Sequence, residues 1–246
     1  MPDYSLSIVL PAYNEAENLE PLVTEIVAVL KSMQVVHREI LIVDDASTDQ
    51  TANVVIAIAK SFPEVRGIHL RKNTKKAGAL LCGYRLAKGD FVITMDTDLQ
   101  DDPKEIPHLI AALENGADVV NGWRVKRMDS WQKRMSSLAA NRLTSFLFGQ
   151  RLHDMNSGYK AYRAGVLKKL YIPGSLYRFI PHLLFRQGYT VVEIPVNHRP
   201  RLHGETKFRL GHRLRYFVDL IMVLFATPSN GTQETALFDE LTGGNR

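Results

Sequence analysis

The sequence predicts an α/β fold with a mostly parallel sheet flanked by helices, and three observations carry that prediction. Short apolar runs alternate with segments of helical spacing through the first half of the chain. Polar clusters recur where those runs end. One run, Phe91–Met95, ends in Asp96-Thr-Asp98, with Pro103 following. Hard oxygen ligands at the carboxyl end of a strand are where an open α/β sheet holds a divalent cation and the phosphates bound to it.

Taken in order, Ser5–Leu10 reads as a strand, and Glu15–Met33 has helical spacing through Leu19, Leu22, Ile26, Val29 and Leu30. Glu39–Val43 is a second strand, ending in Asp44-Asp45. Ser47-Thr48-Asp49 supplies N-cap chemistry for a helix carrying Val54, Val55, Ile58 and Ala59. Val65–Leu70 is a third strand, Ala77–Ala87 a helix and Phe91–Met95 a fourth strand. Pro103 belongs to the first turn of a helix ending near Asn115-Gly116, and Asp118–Asn121 is again a strand. This order implies right-handed crossovers between parallel strands. Beyond Gly122 the pattern changes: Ser130–Gly149 reads as a long helix of mixed character, and Ser157–Tyr162 and Thr190–Val196 as strands. Lys207–Ala226 is amphipathic, with Leu210, Leu214, Phe217, Val218, Ile221, Leu224 and Phe225 on one face and Asp219 off it.

Length and composition narrow the class. The 246 residues, 45% hydrophobic and 23% charged, suffice for a core without staples. The single cysteine, Cys82, excludes an intrachain disulfide framework and fits a reducing compartment. The first ten residues carry no secretory-signal pattern, and no apolar run reaches the roughly 18–20 residues that span a bilayer. A cytoplasmic location is expected. The net charge of +5 is concentrated: His198 to Arg215 holds six Arg or Lys, three His and one acid, Glu205. Such a cluster suits an anionic membrane surface or a phosphorylated substrate. No nucleic-acid-binding signature accompanies it.

Four clusters fall at strand ends: Pro11-Ala-Tyr13-Asn14-Glu15, Asp44-Asp45-Ala-Ser47-Thr-Asp49, Asp96-Thr-Asp98-Leu-Gln100 and Gly122-Trp-Arg124. A doubly wound sheet gathers those ends into one cleft. Neither G-x-G-x-x-G nor a P-loop is present, so a diphosphate here would need a metal ion and cationic side chains rather than a glycine-rich backbone cradle.

With Ser157-Gly158, Ala161-Tyr162-Arg163 and Arg201-x-x-Gly204-x-Thr206-Lys207-Phe208, these motifs make a specific set. From about Ser5 to Phe225 the chain resembles the inverting family 2 glycosyltransferases of GT-A fold, a Rossmann-like nucleotide-diphospho-sugar transferase fold, and particularly the dolichol- and polyprenyl-phosphate sugar synthases. The resemblance implies that Pro11, Tyr13, Glu15 and Asp44 hold the nucleobase and ribose, with Asp96 also on the donor side. Asp96, Asp98 and Gln100 would bind Mg2+ or Mn2+ on the donor diphosphate. Arg124, Lys133, Ser137, Arg201 and Lys207 would face the lipid phosphate, and Asp98, Arg124 and Asp154 would carry the chemistry. Two departures stand out. Asn73-Thr-Lys75-Lys76 replaces the family's Asn-x-Gly turn, and no transmembrane helix follows the Gly-x-Thr-Lys motif.

The expected organisation is a GT-A domain over 1–206, an amphipathic membrane-interface helix over 207–227 and a flexible tail over 228–246. The expected reaction moves one sugar from a UDP- or GDP-linked donor to a polyprenyl or dolichyl phosphate at the cytoplasmic membrane face, with the membrane surface or a membrane-protein partner holding the enzyme there. A hydroxyl acceptor is the alternative. It would need a general base, for which Asp154 is the candidate. A non-catalytic nucleotide-binding subunit is the alternative from another class, and the pair Asp96 and Asp98 argues against it.

Overall fold

A computed structural model describes residues 4–33, 35–125, 131–167, 170, 174–200, 218–222 and 238–241, with 131–139 and 174–175 as backbone. Its centre is an eight-stranded sheet in the order β7-β5-β6-β4-β1-β2-β3-β8. Strand β1 (Ser5–Ala12) pairs in parallel with β2 (His37–Asp44) on one side and β4 (Phe91–Thr94) on the other. Strand β3 (Val65–Leu70) continues outward beside β2. The chain therefore runs away from β1 and then returns to its other flank, which opens a crevice at the carboxyl ends. Strand β6 (Lys160–Arg163) is antiparallel between β4 and β5 (Val119–Arg124), and β7 (Val191–Val196) is parallel to β5. All strands from β1 to β7 except β6 thus point to the same edge.

Both faces of the sheet are covered, which is why its central strands read as continuous apolar runs. Alternation sends Leu6, Ile8, Leu10, Ile40 and Ile42 to one core and Val9, Leu41 and Val43 to the other. The first core receives α1 (Ala16–Ser32), through Leu19, Leu22, Val23, Ile26 and Leu30, with α2 (Thr51–Ser61) and α4 (Ile106–Glu114). The second receives α3 (Lys75–Leu86). Gly83 lets α3 lie close to the sheet, since a Cβ there would run into Val9. Cys82 is buried on this helix, and burial pushes its thiol up to about 11. Pro103 opens a separate 3-10 turn, Pro103–Glu105, capped by Asp102, before α4 begins.

The second half differs more from expectation. The long helix is α5 (Trp131–Phe148), and the predicted strand at Ser157–Tyr162 shifts to Lys160–Arg163. Two short helices, α6 (Ala164–Leu167) and α7 (Ile180–Arg186), occupy a stretch with no clear periodicity. The expected tail is corrected at four residues. Strand β8 (Phe238–Leu241) closes the β3 edge in antiparallel register, with Glu240 on Arg66 at 3.0 Å and Asp239 on Arg71 at 2.9 Å. An unpaired edge presents free N–H and C=O groups, and this short acidic segment satisfies them. Residues 218–222 are helical, with Val218 and Ile221 outward, Ile221 at 57% exposure, and Asp219 buried at 1%. Residues 207–217 and 223–227 of the expected interface helix lie outside the described residues, as do Arg201 and Lys207. No helix among the described residues is long and apolar enough to cross a membrane.

One buried charge ties the amino-terminal edge of the sheet together. Glu39 accepts from the Ser7 hydroxyl and the Lys88 N–H at 2.6 Å each, and from Arg66 at 2.9 Å. Burial alone would raise its carboxyl, but these three donors outweigh it and hold the group below its ordinary value. Its contribution to stability is therefore present above the unfolded-state pKa of about 4.3 and is lost as pH falls through the lower folded-state value. Glu39→Gln is expected to lower the unfolding free energy at pH 7 by about 1–3 kcal/mol in urea titrations. The deficit should shrink below about pH 4, where the wild-type carboxylate also protonates.

Candidate active site

The carboxyl ends of β1, β2 and β4 open into a cleft of about 200 Å3 lined by Pro11, Tyr13, Glu15, Asp45, Lys76, Asp96 and Asp98, among others. Its first wall comes from two loops pinned to each other. The Asn14 N–H donates to Ser47 Oγ at 2.9 Å, Asn14 Oδ1 accepts from the Thr48 N–H at 2.9 Å, and the Glu15 N–H reaches Thr51 Oγ1 at 2.9 Å. Tyr13 stands at the rim, 37% exposed.

The two acids after β2 have different surroundings. Strand β2 runs through Asp44, and its carboxylate is fully buried. One oxygen accepts from the Ser47 N–H at 3.0 Å and the other pairs with His69 Nδ1 at 2.7 Å. Asp45 lines the cleft instead. It accepts from the Thr74 N–H at 2.6 Å and from the Thr74 hydroxyl at 2.8 Å, which binds the β3–α3 loop to β2. Burial raises the Asp45 carboxyl despite those donors.

Asp96 is the electrostatic centre. Its N–H donates to Asp101 Oδ2 at 3.1 Å, and its carboxylate forms an ion pair with Lys76. Burial would raise the Asp96 carboxyl, but Lys76 first, then Arg124 and Lys160, hold it below its ordinary value. Lys76 is raised in turn, since the Asp96 carboxylate outweighs the opposing effect of its burial. Behind them Lys160 is buried on β6 and donates to the Ser157 and Met155 carbonyls. Burial, reinforced by the charge of Lys76, lowers its ammonium to about 7.

Asp98 lines the cleft beside Asp96. Gln100, expected as a metal ligand, is not among the residues lining the cleft. Its side-chain amide donates to the Arg199 carbonyl at 3.2 Å, and its own carbonyl accepts from the Arg199 N–H at 2.8 Å. Arg199 and Asn197 also grip Asp102, at 2.6 and 3.1 Å, so the segment after β7 braces the whole Asp96–Asp102 loop.

Arg124 closes the far side. Its Nε donates to Asp154 Oδ2 at 2.6 Å and its terminal nitrogen to Oδ1 at 3.0 Å, a bidentate pair that raises the guanidinium against the effect of burial. Asp154 is buried and held from behind, its N–H on Glu193 Oε1 at 2.9 Å. Both carboxylate oxygens of Asp154, the expected base for a hydroxyl acceptor, are engaged by Arg124. Lys133 and Ser137 fall on α5, and their side chains lie outside the described residues.

The donor set suits a hard divalent cation in one particular way. Among the described residues no group of three or more His, Cys, Asp or Glu could hold a metal alone. Asp96 and Asp98 offer two carboxylates, which is how Mg2+ is bound where substrate phosphates and water complete its shell. The Lys76 ammonium is paired with one of them, Asp96.

Residues 7–171 match the family described as Glycosyl transferase family 2, and the chain belongs to that family of enzymes. Among its relatives is the undecaprenyl-phosphate 4-deoxy-4-formamido-L-arabinose transferase of Edwardsiella ictaluri (strain 93-146). That protein is 36% identical over 224 residues, covering 91% of this chain and 69% of the relative. The dodecaprenyl-phosphate galacturonate synthase of Rhizobium johnstonii is 34% identical over 226 residues, covering 89% of this chain and 66% of the relative. The chain thus spans about two thirds of the length of these relatives. In fold it is similar to glucosyl-3-phosphoglycerate synthase of Mycobacterium tuberculosis in complex with Mn2+, UDP and phosphoglyceric acid. There the TM-score is 0.66 at 21% identity, over 91% of this chain and 80% of that one. The GT-A architecture expected from the motifs is the one observed.

Three residues with evident tasks carried no assigned role in the sequence reading: Asp45, Lys76 and Gly158. Gly158 lies against the Asp96 carboxylate, and a Cβ there would come within 2.7 Å of Asp96 Oδ2. The neighbouring Thr94 hydroxyl donates to the Gly158 carbonyl at 2.8 Å, so the glycine backbone has little room to retreat. The signal was present in Ser157-Gly158, whose glycine the close approach requires. Gly158→Ala is expected to cost about 1–3 kcal/mol in denaturant melts through overpacking. It should also displace Asp96 from Lys76, lowering metal-dependent nucleotide binding by about tenfold or more in calorimetric titration, a loss of roughly 1.4 kcal/mol.

Proposed function

We propose that this glycosyltransferase moves one sugar from a UDP- or GDP-linked donor to a polyprenyl or dolichyl phosphate, with inversion at the anomeric carbon and with Mg2+ or Mn2+. The observation that carries this reading is Asp96 and Asp98 at the point where the strand order reverses, with Lys76 and Arg124 on either side. The names of the two relatives, an undecaprenyl-phosphate and a dodecaprenyl-phosphate enzyme, support the acceptor class.

In this reading Pro11, Tyr13, Glu15 and Asp45 border the nucleoside, and Asp96 and Asp98 hold the metal. The bound cation would act as Lewis acid, stabilising charge on the departing nucleoside diphosphate. An acceptor phosphate oxygen bonds to the anomeric carbon as the bond from that carbon to the β-phosphate oxygen breaks. Arg124, fixed by Asp154, presents its guanidinium to phosphate oxygens. An alkyl phosphate is already anionic near neutral pH, so no base is required. The engagement of Asp154 by Arg124 weighs against the hydroxyl-acceptor alternative, which needs a carboxylate able to accept a proton.

Contact with the cytoplasmic face of a membrane belongs to the same proposal. Its support is the outward Val218, Ile221 and Met222 on residues 218–222 and the basic run from His198 to Arg215. Arg201, Lys207, Lys133 and Ser137 remain candidates for the acceptor phosphate.

Thermal melts with UDP and GDP, with and without Mn2+, test the donor site. One nucleotide is expected to raise the melting temperature in a metal-dependent way by mass action, and Asp98→Asn to abolish the shift. No shift with either nucleotide would sink the reading. Asp154→Asn should lower transfer to a short polyprenyl phosphate by about 10- to 100-fold, or roughly 1.4–2.7 kcal/mol, by loosening Arg124 while leaving nucleotide affinity within about twofold. Loss of nucleotide binding in that variant would show that Asp154 belongs to the donor side.

A further inference from the structure

Lys76 occupies a position whose cost needs a reason. It is the second residue of α3, where the helix dipole disfavours a cation. It is delivered there by a strained turn, since Lys75 has φ of 64°, a left-handed conformation that residues other than glycine rarely adopt. The turn is held by Asp45, through the Thr74 N–H and hydroxyl. Its product is an ammonium seated on Asp96, 5.6 Å from the centre of the Tyr177 ring. Both partners are partly buried but keep some surface in the cleft, with side-chain exposures of 30% for Lys76 and 34% for Asp96. The carboxylate is therefore within reach of dissolved cations and is already neutralised.

Resting on the donor-site reading above, we infer that Lys76 competes with a divalent cation for Asp96. It excludes free metal and yields Asp96 only when metal arrives with a diphosphate that can receive its ammonium. Of the two carboxylates a metal would use, Asp96 is paired with Lys76 and influenced by Arg124 and Lys160. A metal entering alone must displace the ammonium and take away its strongest counter-charge, Asp96, while Arg124 and Lys160 stay near. A nucleoside diphosphate removes that penalty, because its oxygens both complete the metal shell and accept the ammonium. The four-carbon stem of lysine lets the charge move between the two without backbone change. Lys76 is thus a positioning residue that couples metal entry to nucleotide entry.

The test measures binding rather than turnover. Mn2+ alone is titrated against wild type, Lys76→Met and Lys76→Arg, followed by electron paramagnetic resonance. Mn2+ should bind Lys76→Met at least about tenfold more tightly than wild type, a gain of roughly 1.4 kcal/mol. Lys76→Arg, which keeps the charge, should behave as wild type. With Mn2+ saturating, UDP or GDP, whichever the wild type binds, should bind Lys76→Met about tenfold more weakly. Equal affinity for Mn2+ alone in wild type and Lys76→Met overturns the inference while leaving the donor site intact. Unchanged nucleotide affinity overturns the hand-over to the diphosphate. Failure of the wild type to bind either nucleotide removes the donor-site reading, and this inference with it. Should Lys76→Met not fold, as judged by circular dichroism, Lys76→Gln carries the same expectations.

Discussion

The site depends on where β1 sits. With β2 on one side of it and β4 on the other, the loops leaving these strands must part, and the crevice between them is the cleft. Making those loops short and sharp requires backbone that most residues avoid. Asn14, Ala46, Lys75 and Leu99 are the residues other than glycine with positive φ among the described residues, and one falls after each of β1, β2, β3 and β4. Strain of this kind persists only where neighbouring bonds over-determine it. Here the bonds are visible: Asn14 to Ser47, Ser47 to Asp44 across Ala46, Thr74 to Asp45 before Lys75, and the Gln100 N–H to Asp98 across Leu99.

Those four turns deliver charge as well as shape. Asp96 is surrounded by Lys76, Arg124 and Lys160, while Arg124 is already matched by Asp154. Three cations close to one carboxylate repel one another strongly where water is scarce. Burial first, and the charge of Lys76 next, depress the Lys160 ammonium, and its carbonyl partners Ser157 and Met155 can stabilise it without adding charge. A polyanion entering the cleft would meet a surface whose cations are held in place beforehand, which lowers the reorganisation its binding requires.

Much of this was legible in the residues. The strands from β1 to β5 were readable because burial on both faces leaves continuous apolar runs, and Asp96-Thr-Asp98 because acids directly after such a run are placed by it. The choice between Asp44 and Asp45 was not. It depends on strand β2 extending one residue further than the apolar run, which turns Asp44 toward His69 on the neighbouring strand. Strand β8 was illegible for a related reason. Its acids make sense only opposite Arg66 and Arg71, which lie about 170 residues earlier. Gln100 was legible as part of the same motif, but not the hold that the Arg199 backbone has on its amide nitrogen. The helices α6 and α7 are too short for periodicity to announce them.

The turn at Lys75 shows how this chain holds a left-handed conformation without a glycine. A glycine would take φ of 64° without strain, yet the turn retains that conformation with a lysine. Two features offset the cost. The Lys75 N–H and its charge both favour the ionised form of Asp45, against the burial that still holds its carboxyl above the ordinary value. The Lys75 N–H also reaches Asn73 Oδ1, at 3.3 Å, and the Asn73 amide donates to the Asp45 carbonyl at 3.1 Å. The loop is therefore fixed from β2 at several points, and its freedom to relax the left-handed residue is gone. What glycine achieves by tolerance, this chain achieves by constraint, and the rigidity that results is what sets Lys76 on Asp96.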